Sequence, residues 1–302
     1  MACLLAARLA PVARVTMAGS WPEGLAAVRS RGILVEGPGE RPPVRVDVSA
    51  IAEASGPADL VLVVVKSWQT AAVAPHVARL LAGGGVALTL QNGLGNLEIL
   101  GERACQGVTY LGATLLGPGR VRPAGTGTTW IAGPEWIVGL FRRAGLAAER
   151  CATDQAEGLL WGKLAVNCGI NALTAILRVP NGELLRLPDA EILLRAAAAE
   201  CGAVAAARGV RLPFPDPAER ACQVARQTAA NLSSMLQDLM RRAPTECEAI
   251  NGAIVEWGRR LGVPAPVNEL LLRLVRAAAA SARAAPEPGE SQTCWSSQAS
   301  KT

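Results

Sequence analysis

The sequence predicts an α/β chain: a Rossmann-type, doubly wound first domain, incomplete at its N-terminus, followed by an all-α second domain. Three observations carry this. Short apolar runs alternate with helical stretches up to residue 153. The run "LVLVVVK" (60–66) is apolar without a break, as expected of a strand covered on both faces of a parallel sheet. From residue 154 the strand signals stop and helical periodicity takes over.

The elements follow in order. "MACLLAARLA" reads as a helix, "RVTMAG" (14–19) as a strand and "PEGLAAVRSRG" as a helix. After the 60–66 strand, "QTAAVAPHVARLLAGG" is a helix with a glycine stop, and "VALTLQNG" is a strand running into a turn. Between 107 and 133, "VTYLGATLL", "GRVRPAG" and "GTTWIAG" read as short strands added antiparallel at the sheet edge. A helix over 134–144 and the strand "LAAERCA" close the first domain, 1–153. The second, 154–284, is predicted to hold helices at 154–176, 188–208, 216–231, 234–241, 246–261 and 266–283. Pro and Gly mark the breaks at "VPNGE", "RLPFPDP" and "RLGVPAP". Residues 285–302 show no periodicity and are expected to be a disordered tail.

Composition prunes the chemistry. The 302 residues suit two domains of the usual ~100–200 residues. A net charge of +5 without a Lys/Arg block leaves no nucleic-acid footprint. The longest strictly apolar run, 60–65, is far below the ~18 residues that span a membrane. Eight scattered cysteines without a CxxC argue against a zinc site or disulfide framework and suit a reducing cytoplasm. The N-terminal run lacks a basic segment before it and contains Arg8, against a signal peptide. His76, the one histidine, reads as a solvated helix residue, so Ser-His-Asp chemistry and multi-histidine metal sites are excluded. Proton transfer falls to Lys, Glu, Asp or Cys.

Within "LLWGKLAVNCGINALTAI" (159–176), Lys163, Asn167 and Asn171 advance ~40° and rise ~6 Å per step, forming one polar stripe ~12 Å long. Leu164, Val166, Ile170 and Leu173 point elsewhere, into packing. Gly162 and Gly169 are expected to leave room beside the stripe. A partly exposed face with a snorkelling lysine accounts for this pattern. A binding wall accounts for it too, because Asn is a poor helix-interior residue. Further on, Ser234 with Gln237 fits a capping box, and Thr245 with Glu248 repeats the device with Glu246 in the first turn. "QNGLGN" (91–96) follows an apolar strand, where parallel sheets bind ligands, and Lys66 occupies the same kind of place. A cation there meets a phosphate or carboxylate, or ends the strand in water.

In this order, "VLVVVKSWQT", "LTLQNGLGN", "GATLLGPGRV", "WGKLAVNCGINALTAI", "VPNGEL", "SSMLQD" and "TECEAINGAIVEWGRRLGVPAPVN" resemble the ketopantoate reductases (2-dehydropantoate 2-reductases), from the first residues to about 283. The resemblance implies a Rossmann-type domain, a helical domain and an active site in the cleft between them. It implies reduction of 2-dehydropantoate to (R)-pantoate with NADPH, on the route to pantothenate and coenzyme A. Lys163 matches the family's catalytic lysine and Glu246 its active-site glutamate. Asn167, Asn171, Asn181 and Ser234 match substrate-binding residues. Asn92 matches the asparagine that touches both cofactor and substrate, Lys66 the lysine near the cofactor, and Ala113 a backbone contact to NADPH. The helical domain is compatible with a homodimer; the expected partner is otherwise a small 2-oxo acid, with no nucleic acid and no membrane.

The chain departs from the family at its start. The family opens with a strand and a G-x-G-x-x-G/A turn that holds the pyrophosphate at a helix N-terminus. Here the matching helix is "MACLLAARLA", with Ala2 at the third-glycine position, so about ten residues are expected in front of it. Either the start lies inside a longer reading frame, or the chain is shortened and holds NADPH poorly. After the second strand, Ser20 stands where the family often has an Arg for the 2′-phosphate; a hydroxyl binds phosphate without the charge, which leaves NADH open. Two alternatives stay open beside ketopantoate reduction: another small 2-oxo acid on the same scaffold, and a non-catalytic remnant that cannot hold cofactor.

Overall fold

The computed structural model describes residues 1–37 and 42–284; the tail expected at 285–302 lies outside them. The chain divides into two compact units, Met1–Leu164 with Ala205–Pro215, and Ala165–Val204 with the residues from Asp216 onward.

The first unit is α/β. In chain order it contains α1 (Ala2–Leu9), β1 (Thr16–Gly19), α2 (Pro22–Arg31), β2 (Leu34–Val35), β3 (Asp47–Ala50), β4 (Leu60–Val63), α3 (Thr70–Leu80), β5 (Val86–Thr89) and α4 (Asn96–Leu100). Then come β6 (Ala104–Thr109), β7 (Gly112–Gly117), β8 (Arg120–Gly125), β9 (Thr129–Ala132), α5 (Glu135–Arg143) and β10 (Ala148–Arg150). The main sheet has the order β10-β9-β6-β5-β4; β4, β5 and β6 run parallel, and β9 is antiparallel to β6. β1 and β3 form a separate parallel pair. Helix α1 joins two cores through its alternating apolar positions: Leu5 and Leu9 pack with Leu88, Ile131 and Phe141, while Leu4, Ala6 and Ala7 pack with Val28, Ile33 and Val121.

One expectation holds and one needs correction. The 60–65 run is packed on both faces, though only Val63 is fully buried: Leu60, Leu62 and Val64 lie against one apolar core, and Val61, Val63 and Val65 belong to another. Among the described residues β4 pairs on one side only, with β5. The three short strands at 107–133 are not one set of edge additions. β6 starts earlier, at Ala104, and lies parallel to β5 inside the main sheet, while β7 and β8 form a bulged hairpin in a sheet of their own with β2. Gly119, at φ 73°, makes the reversal in that hairpin.

The second unit is helical. It is built on α6 (Thr153–Leu177), which begins in the first unit, and on α7 (Pro188–Ala207), α8 (Pro217–Gln227), α9 (Ser234–Met240), α10 (Ala253–Leu261) and α11 (Pro266–Ala284). By length and composition α6 is apolar enough to cross a membrane, but 72% of its most apolar window is buried inside the protein, as in a core helix. A π-helical turn at Glu248–Gly252 precedes α10. Buried amides tie this unit together. Asn251 Nδ2 donates to the Cys168 carbonyl (2.9 Å) and to Asn268 Oδ1 (3.0 Å). The Glu200 carboxylate accepts from the main-chain N–H groups of Val267 (2.8 Å) and Asn268 (2.9 Å), capping α11 from a different helix.

Candidate active site

In the first unit, Lys163 is partly buried on α6. Its Nζ donates to the Thr109 main-chain carbonyl at 2.7 Å and stands 5.9 Å from the centroid of the Tyr110 ring. The carbonyl is itself well held: the Thr109 hydroxyl shares a hydrogen bond with Thr129 Oγ1 (2.9 Å) and accepts from the Leu111 N–H (3.2 Å). Such an ammonium, half out of water and fixed in place, suits stabilising charge on a developing alkoxide.

Lys66 follows the carboxyl end of β4, and Asn92 follows that of β5; both are partly exposed. The loop carrying Asn92 turns on Gly93 (φ 82°) and Gly95 (φ 88°), a left-handed geometry that glycine adopts without strain. The two sites are linked, because Gln91 Nε2 donates to the Val65 carbonyl at 3.0 Å. Ser20 is exposed just beyond β1, Ala2 is exposed at the start of α1, and Ala113 is partly buried in β7. A cation, an amide and a hydroxyl at the carboxyl ends of parallel strands fit the phosphates and ribose of a dinucleotide.

The second unit gathers the other candidates. Asn167 is partly exposed and Asn171 buried on α6. The Thr174 hydroxyl, one turn on, donates to the Ile170 carbonyl (2.6 Å) and shares a hydrogen bond with Ser233 Oγ (2.7 Å), which sets Ser234 beside that turn. Glu246 is buried, and its carbonyl accepts from the Ile250 N–H of the π turn (3.1 Å). The bond from Asn251 to Cys168 joins that turn to α6 between Asn167 and Asn171. Asn181 is buried; its Nδ2 donates to Thr228 Oγ1 (2.9 Å), and its Oδ1 has no hydrogen-bond partner.

The capping expectation shifts by one residue. Ser233, not Ser234, caps α9 by accepting from the Leu236 N–H at 3.1 Å. The glycines of α6 also do something else than leave room. A Cβ on Gly162 would meet Pro213 Cδ at 2.8 Å, and one on Gly169 would meet Leu194 Cδ1 at 2.5 Å. They allow close packing.

Burial pushes the thiols of Cys3, Cys151, Cys168, Cys222 and Cys247 up from their ordinary range, and that of Cys105 to about 11. These cysteines are thiols rather than thiolate nucleophiles at neutral pH. The residues that sequence reasoning missed are the supports: Thr70, Gln91 and Asn96 around Asn92, and Thr174 and Asn251 around Asn171. An Asn inside a helical run was the available signal for Asn251.

The family model "Ketopantoate reductase PanE/ApbA" matches residues 1–135, and its C-terminal counterpart matches 155–279. The 2-dehydropantoate 2-reductase of Halobacterium salinarum is 40% identical over 282 residues, covering 87% of this chain and 90% of that protein. That of Archaeoglobus fulgidus is 42% identical over 230 residues, covering 72% and 76%. Among solved structures, a PanE/ApbA family ketopantoate reductase from Ralstonia eutropha superposes with a TM-score of 0.85 at 34% identity, covering 92% of this chain and 95% of that one. A D-mandelate dehydrogenase solved with NADH and anilino(oxo)acetate gives 0.86 at 25% identity, with the same coverage. With both halves matched by the family models and relatives at 40% identity over most of the chain, this protein belongs to the ketopantoate reductase family.

Proposed function

We propose that this chain reduces 2-dehydropantoate to (R)-pantoate with NADPH, on the route to pantothenate and coenzyme A, as a cytoplasmic enzyme. The observation that carries the reading is its 40% identity over 282 residues with a 2-dehydropantoate 2-reductase. The polar stripe of Lys163, Asn167 and Asn171 on α6 supports it. In this reading the first unit holds the dinucleotide through Lys66, Asn92, Ser20, Ala113 and the start of α1 at Ala2. The second unit and the Lys163 stretch of α6 hold the oxo acid.

When bound, a reduced nicotinamide supplies the hydride that adds to the 2-oxo carbon. The C=O electron pair moves onto oxygen, and the Lys163 ammonium stabilises that charge and gives up the proton. Asn167, Asn171, Asn181 and Ser234 bind the substrate's carboxylate and hydroxyl, and Glu246 orients a hydroxyl or Lys163. A dimeric ketopantoate reductase is known from Staphylococcus aureus; we extend a homodimer to this chain as part of the proposal.

A second reading has a specific observation behind it. The likeness to D-mandelate dehydrogenase with NADH and an oxoacetate ligand favours another 2-oxo acid, with NADH as donor. Steady-state rates with ketopantoate and a panel of aromatic and aliphatic 2-oxo acids, each with NADPH and NADH, decide between them. The highest kcat/KM is expected for ketopantoate with NADPH. No turnover of ketopantoate defeats the first reading.

A further inference from the structure

The carboxyl ends of β4 and β5 carry a chain of buried side-chain hydrogen bonds that the proposed chemistry does not use. Thr89 donates through Oγ1 to Gln91 Oε1 at 3.1 Å. Gln91 Nε2 donates to the Val65 carbonyl (3.0 Å) and to Thr70 Oγ1 (2.8 Å). Thr70 donates onward to Asn96 Oδ1 at 2.8 Å. Asn96 Nδ2 donates to the carbonyls of Asn92 (3.2 Å) and Gly93 (3.4 Å). Thr70 and Thr89 are wholly buried, and Gln91 and Asn96 nearly so.

The direction of the chain is fixed at both ends. Val65, Asn92 and Gly93 contribute carbonyls, which only accept. Turning over either carboxamide would set oxygen against oxygen. The chain is therefore satisfied in one orientation, and inside a protein such a network holds its members in one geometry. What it joins is specific: the residue before Lys66, the first turn of α3, the loop that presents Asn92, and the first turn of α4. Packing alone would be served by apolar side chains, which carry no desolvation cost.

We infer that Thr70, Gln91 and Asn96 are positioning residues that fix Lys66 and Asn92 in one mutual geometry and so set the affinity for the dinucleotide. The inference rests on the assignment of Lys66 and Asn92 to the cofactor site.

The test uses the full chain and NADPH itself, with binding followed by the nucleotide's fluorescence and turnover measured with ketopantoate. Thr70→Val keeps the side-chain shape but leaves a Gln91 donor and the Asn96 oxygen unpartnered. It is expected to raise the NADPH Kd about tenfold. Thr70→Ser, which keeps the hydroxyl, is expected to bind nearly as the parent does. Because part of the effect runs through Asn92, Thr70→Val combined with Asn92→Ala is expected to lose clearly less affinity than the product of the two single losses. Unchanged NADPH binding in Thr70→Val, or losses that multiply in the double variant, overturns the inference. If Thr70→Val does not fold by circular dichroism, Asn96→Asp takes its place with the same readings. A parent chain that binds no NADPH defeats the functional reading itself; a parent that binds and turns over beside an unaffected Thr70→Val defeats only the positioning.

Discussion

Lys163 donates to the main-chain carbonyl of Thr109 at 2.7 Å, and that carbonyl ends strand β6. A carbonyl cannot take the lysine's proton at neutral pH, so it orients the ammonium without discharging it. The Tyr110 ring, 5.9 Å away, adds attraction for the cation. Lys163→Ala is therefore expected to lower kcat about 10²–10⁴-fold while NADPH still binds. Steady-state kinetics beside a fluorescence titration of NADPH check both halves, and near-parental turnover would remove Lys163 from the chemistry.

Two adjacent serines separate stability from binding. Ser233 Oγ caps α9 and shares a hydrogen bond with Thr174 Oγ1, while Ser234 is partly exposed beside the Asn171 turn. Ser233→Ala loses the cap and the bond to Thr174, whose hydroxyl keeps the Ile170 carbonyl, with an expected cost of about 1–2 kcal/mol in urea unfolding. Ser234→Ala is expected to change stability by less than about 0.5 kcal/mol and to raise KM for the oxo acid. The opposite pattern would move the substrate role to Ser233.

Much of the fold was legible because its helices are long and their breaks carry Pro or Gly; the α6 and α11 expectations differ from the structure by one residue at their ends. Strand β3, "DVSA", was not legible, since it is short and carries no apolar run. The apolar run of β4 reported the packing on its two faces, but such a run does not tell how many strands lie beside it. At the site, residue types pointed to Lys163, Asn167 and Asn171, but they did not distinguish Ser233 from Ser234. Both are serines before a helix, and the distinction lies in which one meets Thr174, fifty-nine residues away in sequence. The Thr70–Gln91–Asn96 chain was hidden for the same reason: its partners are joined by the sheet, not by spacing.

Gly169 tests whether the glycines of α6 serve packing or the ligand. A Cβ there would lie 2.5 Å from Leu194 Cδ1 and 2.8 Å from the Leu194 carbonyl oxygen, and the second contact is backbone, which cannot rotate away. Gly169→Ala is expected to destabilise the protein by about 1–3 kcal/mol, read from urea unfolding. A variant of parental stability whose only defect is a raised oxo-acid KM would return the glycine to the binding surface.

The pair formed by Glu248 and Arg276 gives a pH dependence with a definite sign. Arg276 Nε and its terminal nitrogen donate to the two carboxylate oxygens at 2.6 Å each, joining the π turn to α11. The guanidinium holds the Glu248 carboxyl below the usual glutamate range. A depressed folded-state pKa contributes stability above the unfolded value, and that stability is lost as the pH falls through the folded value. Both side chains are more than half exposed, at 60% and 53%, so solvent screening keeps the contribution to about 1 kcal/mol or less. Arg276→Met is expected to be slightly less stable than the parent at neutral pH. The gap should close in acid, as the pH falls through the lowered Glu248 value, and should narrow in high salt at neutral pH. Urea unfolding at the two pH values measures this directly. A gap that persists in acid would mean that Arg276 acts through the packing of its aliphatic stem on α11 and not through its charge.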